Sequence, residues 1–301
     1  MLRSPAFGGI ARKDCQRCQT VHAEASIGRP TQTFTDWRNN LIDGHVHLEK
    51  GPYTIDWLSK FISVALERGI TDLYILEHSH RFEEFAPVYN SVILDDTYIG
   101  RYQRNWFSKR LSVPLEEYKN FIRAMRQSSF PIKVKFGLEI CYFPEYEYKI
   151  RQIVSGFDWD FLTGSVHWID GWGFDHPAIK DSWKEKDVNQ VYRKYYELMK
   201  KLIQSNLFNH LAHPDSVRCF DYYPDYDLKD TYLTIAELLK RHNMKTEFSL
   251  GLYINYGHKE FGLNKEFLSI LKQEKVELIA ASDAHVPEDA GRYIKDAYEI
   301  I

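Results

Sequence analysis

The sequence is poor in cysteine. Its four thiols, at positions 15, 18, 141 and 219, are too few and too scattered to frame 301 residues with disulfides. No run approaches the roughly 20 consecutive apolar residues of a membrane-crossing helix, so no membrane partner is expected. There is no long Lys/Arg tract either. With 39 basic against 42 acidic residues, the net charge of −3 leaves no footprint for sequence-independent nucleic-acid binding, and no nucleic-acid partner is expected. A secretory apolar segment is missing, which points to a cytoplasmic location. No glycine-rich loop of the Walker or dinucleotide type follows the first strand candidate, which weakens nucleotide-binding readings.

The first 40 residues lack a helical or strand period and hold no acidic residue before Asp14. Residues 1–40 are therefore expected to be a disordered leader, or an upstream start that is not the native one. Cys15-x-x-Cys18-x-x-x-His22 offers three metal-ligand types. Structural zinc wants four, and no fourth is nearby, so the spacing is read as coincidence.

From residue 41 onward short apolar runs of strand character precede longer helical patterns. The strand candidates are 41–46, 72–76, 132–140, 161–166, 208–212, 245–248 and 276–281. The helix candidates after them are 54–68, 114–126, 144–154, 188–203, 228–240, 264–271 and 287–298. Strand–helix alternation implies an α/β fold with a parallel sheet, doubly wound or closed as a barrel. The segment from Arg81 to Leu111 has no clear period and reads as an insertion over the end of the second strand, a lid or an interface.

What the sequence does have is histidine, twelve in all. His45 and His47 end the first strand candidate, His78 the second, Glu139 the third, His167 the fourth and His213 the fifth, while Asp283 and His285 follow the seventh. Taken singly each has an ordinary reading: a hydrogen-bonded surface histidine, a partner for an arginine, a helix cap. Together they fall at one end of the strands, the face where a barrel gathers its chemistry. The spacing of two in His45/His47 and Asp283/His285 sends each pair to one side of its strand.

These motifs resemble the PHP (polymerase and histidinol phosphatase) superfamily. They are Asp43-Gly-His45-Val-His47, Leu76-Glu-His78, Gly137-Leu-Glu139, Gly164-Ser-Val-His167, Ala212-His213-Pro214 and Ser282-Asp283-Ala-His285. The resemblance covers residues 41–301 and implies one phosphoesterase domain folded as a distorted seven-stranded (β/α)7 barrel. It implies two or three divalent ions of zinc, manganese or iron type. His45, His47, Glu139 and Asp283 would hold the first, and Glu139 would bridge to a second held by His167 and His213. A third in many members is held by His78, His285 and a histidine after the first strand. Relatives read His-Thr-His-Thr-Glu-x-x-Pro-His there, whereas this chain reads His45-Val-His47-Leu-Glu49-Lys-Gly-Pro52-Tyr53. Tyr53, Glu49 or His80 remain as replacements, and a two-metal centre is the alternative.

Within the superfamily the sequence looks most like histidinol-phosphate phosphatases of histidine biosynthesis. The implied reaction is hydrolysis of a small phosphorylated substrate by metal-bound hydroxide, with Glu139, Asp283 and His285 in catalytic roles. Phosphotyrosine proteins, nucleotides or phosphodiesters at the same centre are alternatives, as is a non-catalytic metal-binding protein. For the substrate, Arg218 or Arg81 is a candidate phosphate clamp. His176 and His258 are candidates to cover the site, His80 to contact the substrate, and Glu247 to bind an ammonium or orient a ligand histidine.

Overall fold

The computed structural model describes residues 40–301. The expected N-terminal leader and the Cys15/Cys18/His22 spacing lie outside the described residues. In chain order the elements are β1 (Ile42–Val46), α1 (Ile55–Glu67), β2 (Asp72–His78), α2 (Tyr98–Phe107), α3 (Leu115–Met125), β3 (Lys133–Cys141), α4 (Glu147–Val154), β4 (Phe161–Ser165), β5 (Trp168–Ile169), β6 (Trp172–Gly173), α5 (Val188–Gln204), β7 (His210–Leu211), α6 (Lys229–Arg241), β8 (Lys245–Ser249), α7 (Gly251–Asn255), α8 (Lys265–Gln273), β9 (Leu278–Ala281) and α9 (Ile294–Tyr298). None of these helices is long and apolar enough to cross a membrane.

The helices form where an apolar stripe meets a capping residue. Thr54 starts α1 by accepting from Trp57 N at 3.2 Å, and Leu58, Phe61, Ile62 and Ala65 then recur at helical spacing on its buried side. Asp187 caps α5 in the same way, ahead of Val191, Tyr195, Met199 and Leu202. Truncating a member of such a stripe, Phe61→Ala for example, would cost about 3–5 kcal/mol. The strands are apolar because both of their faces are covered; β2 is buried at every residue but the last.

Seven strands form one parallel sheet in the order β1, β2, β3, β4, β7, β8, β9. Its two edges meet where Val46 bridges Ala284 and His47 N donates to Ala284 O at 2.8 Å. The result is a distorted (β/α)7 barrel. Regular pairing of β1 with β9 is incomplete, and the Asp43 carboxylate spans the seam instead. It accepts from Ser282 N at 2.9 Å, Ser282 Oγ at 2.6 Å and Gly291 N at 2.8 Å.

Alternation along the strands divides the interior into two layers. Ile42, Tyr74, Leu76, Phe161 and Ile279 form a small apolar cluster of their own, and His210 stacks on Phe161 with ring centroids 5.1 Å apart. His210 therefore packs in this floor, where burial pushes its imidazole down to about 3. Above the floor, at the C-terminal strand ends, the inward residues become histidine and carboxylate.

Two elements differ from the sequence pattern. The helix expected over 287–298 is a 3-10 turn at Pro287–Asp289 followed by α9, broken at Gly291 (φ +73) and Tyr293 (φ +60). The break lets Gly291 N reach Asp43, a contact no local period encodes. The 81–111 insertion contains a 3-10 stretch over Glu83–Tyr89 and then α2, capped by Thr97. Trp106 and Phe107 at the end of α2 pack on Trp168, with centroids 5.8 and 5.9 Å away.

Candidate metal centre

Glu139 lies at the centre of the strand ends and is 1% exposed, so its two oxygens see side chains rather than solvent. Oε1 is 2.8 Å from His167 Nε2 and 3.1 Å from His213 Nε2. Oε2 is 3.3 Å from His45 Nε2, 3.4 Å from His47 Nε2 and 3.2 Å from His78 Nε2. Asp283 Oδ1 adds to the second group, 3.7 Å from His45 Nε2 and 3.6 Å from His47 Nε2. One carboxylate thus faces two separate sets of imidazoles. The backbone at Asp283 is left-handed (φ +56), and Gly251 packs so closely that a Cβ there would lie 2.3 Å from Asp283 Oδ2. Only glycine at 251 leaves room for the carboxylate.

A second layer of carboxylates fixes the rings. His45 Nδ1 is 2.7 Å from Glu247 Oε1, and His167 Nδ1 is 2.6 Å from Asp175 Oδ2. A carboxylate only accepts, so each Nδ1 carries a proton, and in the neutral form that binds a metal each Nε2 turns its lone pair inward. Glu247 Oε2 also accepts from His213 N at 2.9 Å, tying the first and fifth strand ends together.

The inward atoms then face one another. His45 Nε2 is 2.8 Å from His47 Nε2, and Glu139 Oε2 has no hydrogen-bond donor. Lone pairs so close repel unless a proton or a cation lies between them. Separations of about 3 Å are also what ligands adopt around an ion whose bonds are roughly 2.0–2.2 Å long. His45/His47/Glu139 and Glu139/His167/His213 each bring three ligand atoms within 4.8 Å of one another. The residues present fit divalent metal ions.

The electrostatics agree. Burial alone would raise the Glu139 carboxyl, but His78, His167, His213 and His45 hold it well below the usual carboxylate range. Burial would lower His167 and His45, yet Asp175 beside one and Glu247 beside the other, with Glu139, push both well above an ordinary imidazole. His47 is pushed down to about 3 by burial and by the charge of His78. A ring that cannot hold a proton keeps its lone pair for a metal, and ions displace the protons that the others hold.

A cleft of about 390 Å³ opens over this centre. His78, Glu139, His167, His213, Asp283 and His285 line it, and His80 and His176 line its wall with Trp106 and Trp168. Three substrate-contact expectations need correction. Arg218 is 3% exposed and faces away from the cleft, held by Asp215 Oδ2 at 2.8 Å, by Glu260 and by Gly262 O, so it is no phosphate clamp. His258 lies outside the cleft lining, bonded to Tyr223 Oη at 3.2 Å, because its loop packs against Asp221 and Tyr223. Arg81 pairs with the buried Glu77 at 3.1 Å, stacks over the Tyr53 ring, and borders a neighbouring cavity instead. Glu247 orients His45 and His213 and has no access to an ammonium group.

Sequence reasoning missed Asp175, Lys50, Trp106 and Arg110, all of which line the cleft. The signal for Asp175 was present. Asp170-Gly171, both at positive φ, form a two-residue hairpin turn between β5 and β6, which carries the chain back so that Asp175 meets His167. Trp106 and Arg110 come from the aperiodic insertion and carried no such signal.

A PHP domain model matches residues 43–249. The chain belongs to the PHP domain family. It is similar to a probable histidinol-phosphatase of Deinococcus radiodurans, 24% identical over 263 residues, covering 87% of this chain and 92% of that protein. It is 21% identical to the histidinol-phosphatase of Bacillus subtilis strain 168 over 275 residues, covering 85% of this chain and 97% of that one. The crystal structure of histidinol phosphate phosphatase from Lactococcus lactis, complexed with zinc, L-histidinol and phosphate, superimposes with a TM-score of 0.61 at 18% identity. That match covers 87% of this chain and 92% of the other, and at this identity it speaks to the fold. Most of this PHP chain therefore has a counterpart in those proteins.

Proposed function

We propose that the chain is a metal-dependent phosphomonoesterase that hydrolyses L-histidinol phosphate to L-histidinol and phosphate, in the cytoplasm and within histidine biosynthesis. The observation that carries this reading is Glu139, whose two oxygens face separate imidazole sets in a barrel shared with histidinol-phosphatases. His45, His47, Glu139 and Asp283 would hold one ion, and Glu139, His167 and His213 a second. Divalent ions there supply a nucleophile at neutral pH and neutralise a phosphate dianion, and zinc, manganese and iron all suit this donor set.

The chain's own residues do the rest. Glu139 fixes the spacing of the two ligand sets and, with Asp283, lowers the net positive charge of the loaded centre. Asp175 and Glu247 keep His167 and His45 in the tautomer that turns Nε2 inward. Arg110 and Lys50 bring positive charge to the cleft for the incoming phosphate. Trp106, Trp168 and His176 meet edge to face and offer an aromatic corner against which an imidazole ring can pack.

The test is phosphate release from L-histidinol phosphate by chelator-stripped protein given manganese, zinc or iron one at a time. Phosphotyrosine peptides and nucleotides run alongside. Turnover of histidinol phosphate that is lost in Asp283→Asn is expected. No release by folded, metal-loaded protein sinks the assignment, and strong turnover of phosphotyrosine alone moves it to another phosphomonoester.

A further inference from the structure

The third metal position is where the sequence departs from the family pattern, and the fold gives it a different ligand. We propose that Glu49, not Tyr53, completes a third divalent-cation site with His78 and His285. This rests on the metal-centre reading above.

Tyr53 is committed elsewhere. Its ring packs on Tyr118 at 5.1 Å and Phe121 at 5.6 Å, and the Arg81 guanidinium covers it at 5.1 Å. Arg81 is in turn fixed by Glu77, which is fully buried and accepts from Leu48 N at 2.7 Å. The phenol therefore belongs to the packing behind the first loop, and Tyr53 does not line the cleft.

The same loop aims Glu49 inward. Because Glu77 holds the backbone at Leu48, the next side chain emerges over the cleft, with Oε2 3.2 Å from His78 Nδ1 and Oε1 3.7 Å from His285 Nε2. His78 Nδ1 is buried and makes no aligned hydrogen bond, although a carboxylate oxygen is that near. The ring's other nitrogen faces Glu139 Oε2. With a carboxylate oxygen beside each ring nitrogen, His78 sits between two anions, a setting that favours a cation between the ring and Glu49. His80, 6% exposed, stacks on His78 with its own Nδ1 unpartnered, and its ligand atom lies within 4.8 Å of those of Glu49 and His78. The donor set is imidazole plus carboxylate, harder than the three imidazoles of the family pattern, and it suits manganese as well as zinc.

The experiment reads metal, not turnover. Chelator-stripped protein is reloaded with Mn²⁺, ions per chain are counted by atomic emission, and the weakest equivalent is titrated by electron paramagnetic resonance. Three ions per chain are expected in the unaltered protein and in Tyr53→Phe. Glu49→Gln should hold two and bind the third at least tenfold more weakly, with an unchanged circular dichroism spectrum. If Glu49→Gln misfolds, Glu49→Asp keeps the charge but not the reach, and should weaken only the third equivalent. A third ion retained in Glu49→Gln, a third ion lost in Tyr53→Phe, or two ions in the unaltered protein each overturn the proposal. An unaltered protein that binds none overturns the whole metal-centre reading, a distinguishable result.

Discussion

The barrel seam and the barrel mouth are each organised by a buried carboxylate on a strand. At the seam, Asp43 is surrounded by neutral donors: Ser282 N, Ser282 Oγ and Gly291 N. Burial outweighs those hydrogen bonds and pushes its carboxyl up to about 6. At the mouth, Glu139 is equally buried but ringed by imidazoles, and its carboxyl is held far below the usual range. Burial is the same in both places; the partners differ. Neutral backbone donors make a latch, whereas facing lone pairs with too few protons make a place for cations.

Exchanging the roles of the two carboxylates is the sharpest way to break this contrast. Glu139→Gln should lower kcat/KM for histidinol phosphate by about a thousandfold or more, with metal content falling and the melting temperature of the stripped protein little changed. Asp43→Ala should do the reverse, losing about 3–5 kcal/mol in urea denaturation as buried donors are left unpaired, while the folded fraction still binds metal.

The seam also predicts a pH signature. Folding raises the Asp43 carboxyl from 3.8 to about 6, so the folded state holds the proton more tightly than the unfolded chain does. Its contribution is complete below pH 4 and is lost as pH climbs through 6. The stability of the metal-free protein relative to Asp43→Asn should therefore fall by about 3 kcal/mol from pH 4 to above 6, measured by denaturation at each pH. A flat difference would mean that Asp43 is ionised in the fold.

Smaller effects test the second layer and the rim. Asp175→Asn should cost about 10–100-fold in metal affinity or activity, because His167 is then free to take the other tautomer. Arg110→Ala should raise KM by about tenfold with less effect on kcat. Arg218→Ala should lower the melting temperature and leave KM unaltered in the folded fraction, since Arg218 braces Asp215 and Glu260 behind the cleft. A raised KM in Arg218→Ala would return it to the substrate.

The parts legible in the sequence share a local cause. His45 and His47 project together because strand side chains repeat every two residues, and α1 and α5 show themselves through apolar spacing and a capping Thr54 or Asp187. The short β7 and the broken final helix were less legible, since both are shaped by contacts far along the chain, such as Gly291 N on Asp43. Arg218 misled for the same reason. Its nearness in sequence to His213 suggested the site, but Glu260, 42 residues on, turns it away.

By itself, then, the sequence determined the alternation of strand and helix and the end of the strands where ligand residues gather. These follow from local periodicity and residue type. Tertiary structure alone decided which carboxylate serves which ring: Asp175 for His167, Glu247 for His45, Glu49 beside His78 in place of Tyr53. Those pairings depend on where the barrel brings distant strand ends to within about 3 Å, a distance set by sheet closure and helix packing rather than by neighbours along the chain.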